Sequence, residues 1–244
     1  TIVNSFVSKN EDLILANATA PLQSAAAATT DIPILGTSVT DYATALDISG
    51  WSGTTGRNIS GTSDLAPLSE QAAMLNELFP DAKNVGLLYC SAEANSQYQI
   101  DVIKEELEKL NYTCTAYSFV DSNDIASVVQ SAVNDNDVLY VPTDNTAASN
   151  TEVINNIAGE AGVPIIAGEA GICKGCGVAT LSISYYDLGY QTGKMAYEIL
   201  VNGADPSTME VEFAPAVTKQ YNPDICEKLG ITVPDDYKAL DMSE

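Results

Sequence analysis

The feature that most constrains this chain is an alternation along its length. Short runs of consecutive apolar residues occur at Leu13–Ala16, Ile32–Leu35, Val85–Tyr89, Cys114–Phe119, Val138–Val141, Pro164–Ala167 and Ala179–Ile183. Between them lie segments of helical periodicity, at Pro21–Thr29, Ser69–Leu78, Ser96–Leu110, Ile125–Val133, Thr151–Ala161 and Leu188–Leu200. A strand that is apolar on successive positions is covered on both faces, and a strand that leads into a helix returns parallel to its neighbour. The pattern predicts an α/β fold with parallel sheets in Rossmann-like lobes. At 244 residues the chain has room for two lobes, each of roughly 100–150 residues.

Two stretches repeat one another. "DLILANATAPLQSAAAATTDIPILGTS" and "DVLYVPTDNTAASNTEVINNIAGEAGVPIIAGE" each start with an acid before an apolar strand. Each follows that strand with a polar amide or acid and a Thr-Ala step, then a helix, then a Pro-Ile strand at Pro33 or Pro164. They read as equivalent units of two similar lobes. The divide is expected near Asp81–Asn84, where a helix ends, the chain turns at Pro80 and a new strand begins. The glycine-rich stretch Gly50–Gly61 reads as an ordered loop leading to the helix at Ser69.

Charge and composition remove whole classes of function. Ten basic residues face 33 acidic ones, for a formal net charge of −23. Such a surface repels phosphate backbones and anionic lipid, so nucleic acid is not an expected partner. The chain has no histidine, which eliminates Ser-His-Asp and Cys-His catalysis and most zinc sites. Arg57 is the sole arginine. No phosphate-cradling glycine loop is present, and no nucleotide or other cofactor is expected. The cysteines are Cys90, Cys114, Cys173, Cys176 and Cys226, an odd number that defines no disulfide framework. Cys173-Lys174-Gly175-Cys176 reads first as a loop with incidental thiols or a local disulfide. A redox pair and half of a zinc site are the other readings. No apolar run reaches the ~18 residues of a membrane span. Thr1 opens an amphipathic pattern with Ile2, Val3, Phe6 and Val7, and no signal segment is evident.

In open parallel sheets ligands bind beyond the carboxyl ends of the strands. Those ends carry small polar or acidic groups throughout: Asn17, Ala18 and Thr19; Thr37, Ser38, Thr40 and Asp41; Ser91, Glu93, Asn95 and Ser96; Thr143, Asp144, Asn145 and Thr146; and Glu169. Ser, Thr and Asn at helix starts cap backbone N–H groups, and the same N–H groups can hold an anion. Asn95, Ser96 and Thr19 are therefore candidates for a ligand carboxylate. Asp144 and Glu169 are candidates for an ammonium group. An α-amino acid, which carries both groups, fits that division of labour. Tyr42, Trp51, Tyr89, Tyr98, Tyr140, Tyr185 and Tyr186 lie near strand ends or connections, where some could stack on an apolar side chain and others are core or hinge packing.

"DLILANATAPLQSAAAATTDIPILGTSVTD", "NVGLLYCSAEANSQYQ", "VLYVPTDNTAAS" and "ATLSISYYDLGYQTGKMAYEIL" together resemble the ABC transporter substrate-binding proteins associated with tryptophan, tyrosine and phenylalanine uptake. The resemblance runs through essentially the whole chain. It implies a two-lobed fold of the periplasmic-binding-protein type I, whose lobes close on a ligand held in the cleft between them. It implies that the turns at Asn17–Thr19, Thr40-Asp41, Ser91–Ser96 and Thr143–Asn145 line that cleft, and that Tyr185-Tyr186 lies near a crossover followed by a helix returning to the first lobe. On that basis lobe 1 is expected at 1–83 plus about 185–218, and lobe 2 at 84–184 plus about 219–244. Members of the family usually begin with a strand-helix-strand unit ahead of the segment matching Thr1, so the first lobe is expected to be missing that unit. The implied function is that of a non-catalytic extracellular receptor for an aromatic amino acid. It would serve an ABC permease, as a cell-surface lipoprotein or a periplasmic protein. Two rival readings are an acid-pair hydrolase and the ligand-sensing domain of a signalling receptor.

Overall fold

A computed structural model of the protein describes residues 2–243. Thr1, where the helical pattern of the N-terminal segment was expected to start, lies outside them. The elements run α1 (Ile2–Lys9), β1 (Ile14–Asn17), α2 (Thr19–Ala28), β2 (Ile34–Val39), α3 (Tyr42–Leu46) and β3 (Ile59–Ser63). Then come α4 (Leu68–Leu78), β4 (Asn84–Cys90), α5 (Ala94–Lys109), β5 (Thr113–Phe119), α6 (Ile125–Asp135) and β6 (Val138–Val141). They are followed by α7 (Asn145–Ala148), α8 (Thr151–Ala161), β7 (Ile165–Ala167), α9 (Ala170–Cys176), β8 (Ala179–Ser182) and α10 (Tyr185–Leu200). A 3₁₀ turn at Pro206–Thr208 precedes β9 (Glu212–Phe213), β10 (Thr218–Tyr221), α11 (Pro223–Leu229) and β11 (Lys238–Ala239). The protein is α/β, and parallel pairing dominates its sheets.

The chain forms two compact units. Unit 1 comprises Thr1–Leu65 and Ser184–Ala216, and unit 2 comprises Ala66–Ile183 and Val217–Glu244. Unit 1 has a sheet in the order β1-β2-β3-β9, with every pair parallel. Its core gathers Leu22, Ala25, Ile34, Val39, Tyr42, Ile59 and neighbours, and α10 adds Met195 and Ile199 against Leu35. β1 forms one edge of this sheet, and Leu15 on it is 59% exposed.

The sequence predicts an ordered loop over Gly50–Gly61, and the structure places the strand β3 at its end, in a segment, Ile-Ser-Gly-Thr-Ser, with one large apolar residue. Tertiary contacts make it a strand. Gly61 sits at φ +145°, and a β-carbon there would lie 2.0 Å from the Gly36 carbonyl oxygen. With hydrogen in place of a side chain at both glycines, the Tyr42 ring lies over the two strands and donates its hydroxyl to the Thr62 carbonyl at 3.1 Å. Burial, with the nearby charge of Asp64, pushes that phenol well above its ordinary range, although the Thr62 carbonyl acts the other way.

Unit 2 has a sheet in the order β11-β10-β8-β7-β6-β4-β5, parallel except where β10 meets β8. β4 and β6 lie inside this sheet, between β7 and β5. From Val85 to Cys90 and from Val138 to Val141 every residue is buried. That explains why these runs are apolar at consecutive positions instead of alternating.

The helix α4 falls in unit 2, whereas the sequence predicts it in the first lobe with the divide near Asp81–Asn84. Its Gln71 is 1% exposed. The Gln71 amide donates to the carbonyls of Gly168 (3.2 Å) and Leu181 (3.4 Å) and accepts from the Tyr140 hydroxyl at 2.5 Å. Tyr112 donates to Asn76 from the other side. This buried polar network ties α4 to β6, to β8 and to the residue that follows β7.

The Cys173–Cys176 segment also differs from the loop expected. It lies in α9, capped by Glu169. Cys173, Cys176 and Cys226 are buried free thiols. Burial, helped by the charge of Glu169, pushes the Cys176 thiol up to about 12, and burial pushes Cys226 up to about 11. A thiol held protonated in this way is a poor nucleophile and a poor metal ligand.

The Gln71 network yields a measurable expectation. Tyr140→Phe leaves the Gln71 oxygen buried without its donor, and unfolding in urea should show a loss of about 1–3 kcal/mol. A variant as stable as the parent would mean that α4 is not held by this bond.

Candidate functional site

In unit 2 the carboxyl ends of β4, β6 and β7 hold the predicted residues Ser91, Glu93, Asn95, Ser96, Thr143, Asp144, Asn145 and Glu169. Glu93, Asn95, Ser96, Thr143, Asp144 and Asn145 form one hydrogen-bonded network, and Ser91 lies outside it. Ser91 closes onto Phe119 O at 3.2 Å. The Glu93 carboxylate reaches across to the start of α7. It accepts from the backbone N–H groups of Asn145 (3.0 Å) and Thr146 (2.8 Å) and from both of their side chains (2.7 Å each). Burial works against the Glu93 charge, but these four donors outweigh it and hold the carboxyl below its ordinary range.

Asp144 is 1% exposed. It accepts from Cys90 N–H at 2.7 Å and Ala147 N–H at 2.8 Å, and from the Ser96 hydroxyl. Desolvation and the neighbouring Glu93 charge push its pKa up in spite of those donors. Asn95 donates its amide to Thr143 O at 3.1 Å, and Gln99 brackets the same residue by donating to its carbonyl (2.9 Å) and accepting from its N–H (3.0 Å). Two strand ends are thus tied together by side chains of the turns that follow them. Glu169 stands apart from this network. Its carboxylate accepts from Gly171 N–H at 2.6 Å and from Ile172 N–H, and burial raises its pKa against those bonds.

In unit 1 the predicted residues are Asn17, Ala18, Thr19, Thr40 and Asp41. Ala18 adopts φ 86°, an unusual left-handed value for a residue with a β-carbon. It donates its N–H to Thr37 O at 2.9 Å, and no side chain caps α2. Asp41 caps α3 by accepting from Thr44 N–H at 2.7 Å. The Thr40 carbonyl accepts from Ser63 Oγ at 2.8 Å. The Thr37 and Thr62 hydroxyls are 3.3 Å apart, and Thr62 meets Thr192 of α10 at 2.9 Å.

Sequence reasoning passes over one residue at the same end of unit 1's sheet. Asp64 follows β3 and is 4% exposed, and its carboxylate accepts from the Tyr185 hydroxyl at 3.2 Å. Once β3 is read as a loop, no strand end points to Asp64. The only available signal was the acid itself, four residues before the next helix. Gln71 and Gln99 were likewise invisible, because a glutamine within a helix looks like a solvent-facing residue.

Among the described residues, no group of three or more His, Cys, Asp or Glu is placed to hold a metal ion. The acids of the rims accept hydrogen bonds from helix starts, which suits positioning of backbone dipoles better than proton transfer.

The family described as ABC transporter substrate binding protein matches residues 1–242. The chain belongs to the ABC transporter substrate binding protein family. A tyrosine-binding protein of Clostridioides difficile is 37% identical over 200 residues, which are 82% of this chain and 58% of that protein. The chain thus spans under two thirds of that relative's length. A crystal structure of an ABC domain from Streptococcus pneumonia in complex with L-Trp is 30% identical, with a TM-score of 0.92, covering 98% of this chain and 84% of that one. A ligand-free, open substrate binding protein with adhesive properties from Clostridium difficile is 36% identical, with a TM-score of 0.74, covering 99% and 82%. These likenesses identify the fold as the periplasmic-binding-protein kind expected from the sequence, and each relative is described as binding a substrate.

The Glu93 network makes a pH-dependent prediction. Glu93 has a depressed pKa in the folded state, so its stabilisation is present above the ordinary carboxylate value and is lost as pH falls through the folded pKa. Glu93→Gln should cost about 1–3 kcal/mol in urea unfolding at pH 7. The gap between variant and parent should shrink below about pH 4. A gap that does not change between pH 7 and pH 3 would show that the charge on Glu93 contributes nothing.

Proposed function

We propose that this member of the ABC substrate binding proteins is an extracellular or periplasmic receptor for an aromatic amino acid, delivering it to an ABC permease and altering no bond in it. The rim residues Asn17, Ala18, Thr19, Thr40, Asp41, Ser91, Glu93, Asn95, Ser96, Thr143, Asp144, Asn145 and Glu169 are the proposed binding set. Supporting the choice of ligand is one observation above the others: a relative solved with L-Trp superposes over 98% of this chain. The tyrosine-binding relative supports the same class.

The chemistry agrees with that reading. The first turn of α2 has no side-chain cap, and uncapped N–H groups at a helix start suit a ligand carboxylate. The acids at the other strand ends supply negative potential for an ammonium group. With a net charge of −23 the surface also favours an amine over a simple anion.

A thermal-shift screen tests this. Aromatic amino acids present at about 100 times their dissociation constant should stabilise the protein by ~2.7 kcal/mol. If sugars or purines raise the melting temperature while tryptophan, tyrosine and phenylalanine do not, the ligand class proposed here is wrong.

A further inference from the structure

We propose that the outer face of α10 is an interface between two copies of this chain, packed antiparallel about a two-fold axis at Gly193. The inference uses no residue of the binding set above and stands whether or not the chain binds an amino acid. α10 buries Leu188, Thr192, Met195 and Ile199, a row at helical spacing. Thr192 meets Thr62 of β3, and Met195 and Ile199 meet Leu35 of β2, so this row faces the sheet of unit 1.

A second row lies on the opposite side. Tyr186, Tyr190, Gly193, Tyr197 and Val201 are each two residues from a member of the first row, about 200° round the helix. Tyr186 is 80% exposed, Tyr190 61%, Tyr197 57% and Val201 62%, and Leu200 beside them is 54% exposed. An ordinary surface helix sets charged residues opposite its buried row. Here Asp187, Gln191, Lys194 and Glu198, spaced three and four apart, form a polar border along one side of the aromatic row. Lys194 donates to Gln191 at 3.0 Å and lies 4.9 Å from the centroid of the Tyr190 ring. An apolar centre with a polar rim is the composition of a protein interface.

Area, fit and access commit the face to a second copy. The exposed parts of the three tyrosines amount to about two whole side chains, or about 400 Å². With Leu200 and Val201 each copy offers about 550 Å², so a pair buries about 1,100 Å² before the rim is counted, above the ~1,000 Å² expected of a specific interface. With the axis at Gly193, an antiparallel copy sets Tyr186 against Leu200, Tyr190 against Ala196, Tyr197 against Gly189 and Gly193 against itself. Each tyrosine then meets a smaller residue, and a face that complements itself closes as a two-fold dimer. A β-carbon at Gly189 or Gly193 would meet nothing within 4 Å, so the backbone is open to close approach at the axis. The net charge of −23 turns the same face away from anionic lipid.

Sedimentation of the full chain tests the assignment. At about 100 µM the parent should sediment at twice the mass of one chain. Added salt should tighten the dimer, by screening two bodies that each carry a net charge of −23. Gly193→Glu sets two carboxylates on the axis and should raise the dissociation constant by about 100-fold or more. The space at position 193 and the poor helix propensity of glycine leave the folding of that variant intact. Tyr197→Ala should raise the dissociation constant by about tenfold. A parent that is monomeric at that concentration overturns the proposal, and if it floats with phosphatidylcholine vesicles the face belongs to a membrane surface instead. A dimer that both variants leave intact forms elsewhere and also overturns it. If Gly193→Glu does not fold by circular dichroism, Tyr197→Ala decides, and an unchanged dissociation constant in that variant overturns the proposal.

Discussion

The interaction on which the rest of this structure depends is the hydrogen bond from a helix-start N–H to a carboxylate. A chain with 33 acids and ten basic residues cannot neutralise its negative charge with ion pairs. Its ion pairs recorded at Lys104, Lys109 and Lys219 all lie at the surface. The acids at the strand ends are instead placed on backbone dipoles. Asp41, Asp144 and Glu169 each close the first turn of a helix, and Glu93 accepts from the first turn of α7. Each bond satisfies an orphan N–H and gives a charge a partner without using a lysine.

That arrangement keeps the strand ends ordered and polar at once. Glu93 and Asp144 sit close enough for Glu93 to raise the Asp144 pKa, yet neither is expelled, because every oxygen of the pair faces donors. Asn95 and Gln99 add amide bonds to Thr143 that hold the end of β6 against the start of α5. A receptor needs polar groups that are set in place before the ligand comes, and networks closed on themselves provide that. In unit 1 the equivalent support comes from the sheet. Gly36 and Gly61 let the Tyr42 ring lie close over β2 and β3, and the Thr37, Thr62 and Thr192 hydroxyls link the strands to α10.

The α/β class, most helices and most strands were legible in the sequence because burial on both faces leaves an apolar run that needs no knowledge of the partner. Val85–Tyr89 and Val138–Val141 are the clearest cases, both internal to unit 2's sheet. The strand-end acids were legible because their positions follow from the strands. Their roles were less so. Asp144 was marked for its charge, and the structure surrounds that charge with the N–H groups of Cys90 and Ala147.

What the sequence determined by itself was therefore the layering of the chain, the polarity of its strand ends and its likeness to amino-acid receptors, since each is written in local pattern or in whole motifs. Only the tertiary structure decided that Ile59–Ser63 is a strand, that α4 belongs with unit 2, that Cys173 and Cys176 sit in a helix, and that Asp64 follows a strand and meets Tyr185. The physical reason is common to all four. Each depends on a partner far away along the chain: Gly36 against Gly61, Gln71 against Tyr140, Asn222 against Cys173, Tyr185 against Asp64. Periodicity reports which face of an element is buried, and it carries no information about what that face will meet.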